Sequence, residues 1–374
     1  MKKTITEYFV DLVTIDSESK NEKAVAEKLK EDLINLGAEV KFDKANEITG
    51  GNVGNLYAYF PGEIKKTPII FCAHMDTVQP GNGIKPQIDD NIIKSDGTTI
   101  LGSDDKSGIV EILWAIKDLK DKDEKHAPIE VLFTISEETG LLGAKYLDYT
   151  MISSKVGYAL DGHEVGSIAI AAPSQNSLKF SIIGLESHAG VEPEKGINAI
   201  QIAAEAITRM PNGRIDGETT CNVGIIKGGK ATNIVPNQVE IDAEVRSHDT
   251  AKLKEVTDKM IKAVKDTVSK YHLNGFDAKA EIKVAEEYTS FRLTDDDQSV
   301  QLAKQATRKL QLSFKPYIGG GGSDVNIFNK NGLKMAVAGT GMDKVHTVNE
   351  QIRISDLENG AKWVKEVIRI YSEI

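Results

Sequence analysis

At 374 residues the chain has room for roughly two or three domains and can bury about three quarters of its unfolded surface, so neither a metal nor a disulfide is needed merely to fold it. Hydrophobic residues make up 40% and charged residues 27%, which excludes a disordered or fibrous chain. The net charge of −10 disfavours phosphate backbones and so nucleic acid as a partner, and no apolar run approaches the ~18 residues of a membrane span.

In chain order, Lys2 and Lys3 are followed by Thr4, Thr6, Glu7 and Asp11, which interrupt any apolar leader. Ser19-Lys20-Asn21-Glu22 reads as a capping box, and Val25, Leu29, Leu33 and Ile34 then recur at helical spacing until Gly37. Apolar runs at 69–73, 129–135 and 156–160 read as buried strands, with a helix over 107–119 between the first two. After Pro173 the pattern changes. Strands at 177–183, 219–226, 239–245 and 279–284 and helices at 198–210 and 249–270 alternate as β-α-β-β-α-β, the ferredoxin-like order. A strand at 333–338 and a last helix opening with Ser355-Asp356-Leu357-Glu358 resume the first pattern. The expected fold is therefore α/β, a mostly parallel mixed sheet with helices on both faces, formed by 1–174 and 286–374 and interrupted by an α+β lid at 175–285. Two cysteines, Cys72 and Cys221, cannot make a disulfide scaffold and fit a reducing, cytoplasmic setting.

The acids and histidines are informative through their placement. The first apolar run leads to His74 and Asp76, the second to Glu137 and Glu138, the third to Asp161, and the strand after the insert to His346. Asp104 and Asp105 sit between Gly102 and the helix. Ligands of open α/β sheets bind outside the carboxyl ends of the strands, so five segments bring His or carboxylate to one edge. Each pair alone is ordinary: Glu137-Glu138 is what a solvated turn looks like, and Asp104-Asp105 suits a helix N-terminus. Together they exceed what one tetrahedral zinc requires and suit two ions ~3.5–4 Å apart.

These residues carry a resemblance. His74-Met75-Asp76-Thr77-Val78, Gly102-Ser103-Asp104-Asp105-Lys106-Ser107-Gly108, Ser136-Glu137-Glu138-Thr139-Gly140, Ala159-Leu160-Asp161-Gly162 and Val345-His346-Thr347 resemble the di-zinc metallopeptidases that include peptidase T, carboxypeptidase G and the aminoacylases, with peptidase T nearest. The resemblance implies that His74 and Asp161 hold one zinc, Glu138 and His346 the other, and Asp104 bridges them, with a cis peptide following it; cobalt or manganese could substitute. It further implies that Asp76 orients His74 and that Glu137 is the general base. In the insert, His188, Asn233 and Arg246 match substrate-binding positions, Arg246 facing the substrate carboxylate. Gly319 to Gly322 with Ser323-Asp324 resembles the glycine-rich substrate loop, although Val325-Asn326 replaces a smaller pair.

The expected activity is a metal-dependent exopeptidase for short peptides, of tripeptide aminopeptidase type, with a homodimer through the lid as a further expectation. A deacylase of N-acyl amino acids or a carboxypeptidase would share the metal site, and a non-catalytic peptide-binding protein would share the fold. An aminopeptidase family with the same ligands places its insert between the first His and the bridging Asp, and the stretch from Asp76 to Asp104 is too short for that. His126, His163, His248 and His272 match no motif, and Cys72 reads as a core thiol.

Overall fold

The computed structural model describes residues 3–374, so Lys2 lies outside the described residues. The chain separates into two compact units. One runs to Ala171 and resumes over Arg292–Gly319 and Ser323–Ile374; the other comprises Ala172–Phe291 with Gly320–Gly322.

The first unit is built on a mixed sheet. Its centre is four parallel strands in the order Ile129–Thr134, Ile69–His74, Val156–Gly162, Lys334–Gly339. Every residue of Ile69–His74 and Ile129–Thr134 is buried, as expected of strands covered on both faces. Leu56–Phe60 and Ser167–Ala172 pair antiparallel on either side of this block. The parallel register places His74 opposite Thr134, so the ends of these strands open on one edge. Beneath that edge the core is aromatic. Tyr158 stacks on Phe71 at 6.0 Å between ring centroids and meets Trp363 edge-on at 5.0 Å. Gly157 is required for close strand approach, because a Cβ there would lie 1.9 Å from the Ile70 carbonyl oxygen.

Local signals differ from the sequence reading at three helix starts. The expected capping box at Ser19–Glu22 does not form: the helix is Lys23–Leu36, and Glu22 at its N-cap makes no side-chain cap bond. Ser19 Oγ instead donates to Asp76 Oδ2 at 2.6 Å, and the Glu22 carboxylate is drawn to Ser136. The last helix, Ile354–Glu373, begins before Ser355, so that serine falls inside its first turn and accepts from Asn91. The helix expected from 107 runs Ser103–Asp121, but Asp104 and Asp105 within it have non-helical φ/ψ. A first helix, Ile5–Val13, was not anticipated. Thr4 and Glu7 form its capping box and Ile5, Phe9, Leu12 and Val13 are buried.

In the second unit the strands Thr219–Gly228, Gln238–Ser247, Ser174–Ile183 and Lys279–Tyr288 lie side by side in that order, all antiparallel. With Ala199–Ile207 and Thr250–Val268 as its helices this is the ferredoxin-like arrangement. Asn198 and Asp249 cap those helices through their side chains. Phe180, Ile202, Ile241, Val245, Met260 and Val264 fill the space between helices and sheet.

Candidate metal centre

The strand ends bring His74, Asp104, Glu137, Glu138, Asp161 and His346 together. Their donor atoms form three overlapping groups: His74 with Asp104 and Asp161, Asp104 with Glu138 and His346, and His74 with Glu137 and Glu138. Asp104 stands in two of them. Its Oδ1 is 3.0 Å from His74 Nε2 and its Oδ2 is 3.1 Å from His346 Nε2. His74 Nε2 is also 3.9 Å from Asp161 Oδ1, and His346 Nε2 is 2.9 Å from Glu138 Oε1. The Asp104-Asp105 peptide is cis.

His74 Nδ1 lies 2.9 Å from the backbone oxygen of Asp76, which can only accept, so Nδ1 carries the hydrogen and Nε2 faces the acids. The Asp76 carboxylate is 3.5 Å from the same nitrogen, and its nearer partners are elsewhere. Its Oδ1 accepts from Glu137 N at 2.9 Å and its Oδ2 from Glu138 N at 3.2 Å. These bonds continue a series. Ile135 N donates to Asn55 Oδ1 at 3.0 Å and Ser136 N to Glu22 Oε1 at 3.0 Å. Four successive amides leading to the two glutamates are thus held by side chains from three distant segments. The need is local, because Ser136 sits at φ +51°, which a non-glycine residue adopts only when its surroundings fix it. Sequence reading missed Glu22 and Asn55. The one signal was Glu22 itself, an acid in the register of a cap that the helix does not use.

The electrostatics are those of a site built for cations. Burial opposes charge on His74, yet hydrogen bonds to Asp104 and Asp76 outweigh it and push its pKa well up. Hydrogen bonds to Asp104 and Glu138 raise His346 to about 10. Burial would raise Asp104, but hydrogen bonds from both histidines hold it well below the usual carboxylate range. Burial pushes up Glu137, with Asp161, Asp324 and Glu138 adding to it and His74 opposing. Burial and Asp104 push up Asp161. Carboxylates outnumber imidazoles, both imidazoles point Nε2 at carboxylate oxygens, and hard oxygen with imidazole nitrogen is a donor set that suits divalent ions. The residues fit a metal pair.

One consequence concerns the metal-free protein. The folded-state pKa of His346 lies above its ordinary value of 6.5, so its contribution to stability is complete below about pH 6.5 and is lost as pH rises toward 10. The ring is half exposed, so solvent screens the effect. The melting temperature without metal should fall across that window, and His346→Gln should flatten the slope in part, His74 supplying the rest. Identical slopes in thermal scans would count against the pairing.

Asp324, from the glycine-rich motif, is buried and among the acids that influence Glu137. His163 is not in the cluster; its Nδ1 lies 3.4 Å from the Met342 carbonyl. The other three expected site residues belong to the second unit. His188 pairs with Ile234 in a two-residue ladder, Ala189 N donates to Asn233 O at 2.9 Å, and the His188 ring is exposed. The structure so brings the His188 and Asn233 segments side by side. Arg246 is held by its own strand neighbour but one: Nε and Nη2 each donate to Glu244 at 3.0 Å. Its remaining nitrogen, Nη1, borders the glycine-rich loop, 3.7 Å from where a Cβ on Gly321 would stand.

A chain that has both a sheet with parallel central strands, acids and histidines converging at their carboxyl ends, and a separate ferredoxin-like unit fits a class of hydrolase scaffold, and comparison with known proteins agrees. Residues 70–370 match Peptidase family M20/M25/M40. A tripeptidase from Staphylococcus aureus superposes with a TM-score of 0.93 at 38% identity, over 99% of this chain and 98% of the other. Aminopeptidase PepT from Bacillus cereus does so with a TM-score of 0.88 at 42% identity, over 97% of each chain. The uncharacterised protein YqjE of Bacillus subtilis is 42% identical over 98% of both chains. The chain belongs to this family of metallopeptidases and is a peptidase T-like member of it. Among the described residues, no helix is long and apolar enough to cross a membrane.

Proposed function

We propose that the protein is a two-zinc aminopeptidase that removes the N-terminal residue of short peptides, tripeptides foremost, in the cytoplasm. The observation that carries the reading is Asp104, whose two oxygens face His74 and His346 at once. His74 and Asp161 would hold one ion, Glu138 and His346 the other, with Asp104 between them. Bound there, two ions polarise a carbonyl oxygen and make water acidic enough to attack near neutral pH. Cobalt or manganese could take the place of zinc.

The chain's own residues supply the rest. Asp76 orients His74 through its carbonyl and aligns Glu137 and Glu138 through its carboxylate. Glu137 takes the proton from the attacking water and returns it to the leaving amine; burial favours its protonated form and so assists the uptake. His188 supports the developing oxyanion and Asn233 lines its side of the substrate, which rests on the family resemblance and on the adjacency of their segments. A dimer through the Ala172–Phe291 unit belongs to the same reading. The buried thiols Cys72 and Cys221, which form no disulfide, suit a reducing compartment.

Arg246 reads the substrate carboxylate through Nη1, its other two nitrogens each giving one hydrogen bond to Glu244. Arg246→Lys should raise KM for free tripeptides about tenfold or more and leave KM for C-terminally amidated ones nearly unchanged. Equal changes in both would make Arg246 a structural partner of Glu244 only. On the unaltered, metal-loaded protein, free tripeptides should be cleaved faster than N-acyl amino acids; the opposite preference would replace the peptidase with a deacylase.

A further inference from the structure

Glu350 follows His346 in the same loop and has no part in the chemistry above. Its side chain is fully buried. Oε2 accepts from Leu101 N at 2.7 Å and Gly102 N at 2.9 Å; Oε1 accepts from Ser103 Oγ at 2.6 Å and Asp104 N at 3.0 Å. One carboxylate therefore satisfies four donors in a row, ending at the residue whose oxygens face both histidines. Its main chain is held as firmly. Glu350 N donates to Thr347 O, and its carbonyl accepts from Ser95 N.

The two segments that Glu350 joins both need holding. In the His346 loop, Lys344 and His346 have φ of +55° and +61°, a region that non-glycine residues occupy only where the surroundings over-determine it. In the other segment Gly102 is at φ +76° and Asp104 is non-helical. Neither conformation is supplied by a regular element. A charged acceptor forms shorter and stronger bonds to N–H and O–H donors than a neutral one, and three backbone N–H groups with one hydroxyl fix the carboxylate in both position and orientation.

We infer that Glu350 is a positioning residue that locks the Asp104 segment to the His346 loop and so sets the spacing of the metal pair. The inference rests on the reading of Asp104, Glu138 and His346 as metal-holding residues. Outer partners of this kind typically contribute ~10–100-fold in metal affinity. Glutamine is not neutral here: in its better orientation the amide oxygen keeps Leu101 N and Gly102 N and Ser103 Oγ can turn to accept from the amide nitrogen, but Asp104 N then faces a donor, so Glu350→Gln keeps the volume while losing the charge and the bond to Asp104. Ser103→Ala removes one bond of the four and leaves the carboxylate in place.

The test is calorimetric titration of zinc into the metal-free full-length protein, Glu350→Gln and Ser103→Ala, with thermal melting of each metal-free form. The unaltered protein should bind two ions. Glu350→Gln should bind one of them ~10–100-fold more weakly and the other, which keeps His74 and Asp161, with a smaller loss. Ser103→Ala should shift in the same direction by less. If Glu350→Gln binds both ions as the unaltered protein does, the inference is overturned while the metal reading stands, and a lowered melting temperature alone would then make Glu350 a support of the fold. Should Glu350→Gln not fold, undiminished zinc affinity in Ser103→Ala overturns the inference. Fewer than two ions in the unaltered protein would overturn the inference and the metal reading together.

Discussion

Glu137→Gln should lose about 10²–10⁴-fold in kcat and keep both metal ions. Glu137 and Glu138 are neighbours after the left-handed Ser136, and each has its amide fixed by one oxygen of Asp76. From that shared anchor their side chains diverge. Glu138 Oε1 reaches His346 Nε2 at 2.9 Å, and Glu138 completes a group with Asp104 that Glu137 does not enter. Glu137 instead groups with His74 and Glu138 and is buried. Replacing its carboxylate by an amide removes a base of nearly the same shape, so ions held by the other residues should stay. Glu138→Gln should do the reverse, losing an ion first and regaining part of its activity at high zinc. Metal content measured beside kcat separates the two. If Glu137→Gln loses an ion and Glu138→Gln does not, the two roles are exchanged; if kcat is unchanged in both, the hydrolytic mechanism is wrong.

Asp104→Ala should lower activity to background and leave neither ion firmly bound. Each oxygen of Asp104 faces a different histidine, so its removal takes one ligand from both positions. It also leaves His74 and His346 without their main acceptor. Without metal, both histidines should then titrate at lower pH, because hydrogen bonds to Asp104 are the leading influences that raise them. Histidine NMR titration of the metal-free variant reads this directly. Unaltered histidine titrations, or two ions retained, would remove Asp104 from the centre of the site.

The cluster of acids and histidines was legible in the sequence because its residues follow uninterrupted apolar strands, and parallel strands place their ends together. His74, Glu137, Asp161 and His346 each inherit their position from a strand whose apolar run is visible, and the ferredoxin-like order of the second unit was visible for the same reason. The residues that hold this edge in shape were not legible. Glu22, Asn55 and Glu350 act through hydrogen bonds to backbone amides far away in the chain, and such bonds leave no periodicity. Ser19 to Glu22 was actively misleading. The pattern of a capping box was present, but Asp76 competes for the serine in a partly buried bond and Ser136 for the glutamate in buried ones. Arg246 was marked as a candidate only through resemblance. Its bidentate pair with Glu244 follows from alternation, since residues two apart on a strand share a face.

The most direct test is hydrolysis of a free tripeptide, followed as metal-free protein is titrated with zinc and the products are resolved by mass. The N-terminal amino acid and the remaining dipeptide should be the first products, with the rate rising until two zinc equivalents are bound. Full activity at one equivalent would contradict the paired site, and release of the C-terminal residue first would contradict the aminopeptidase.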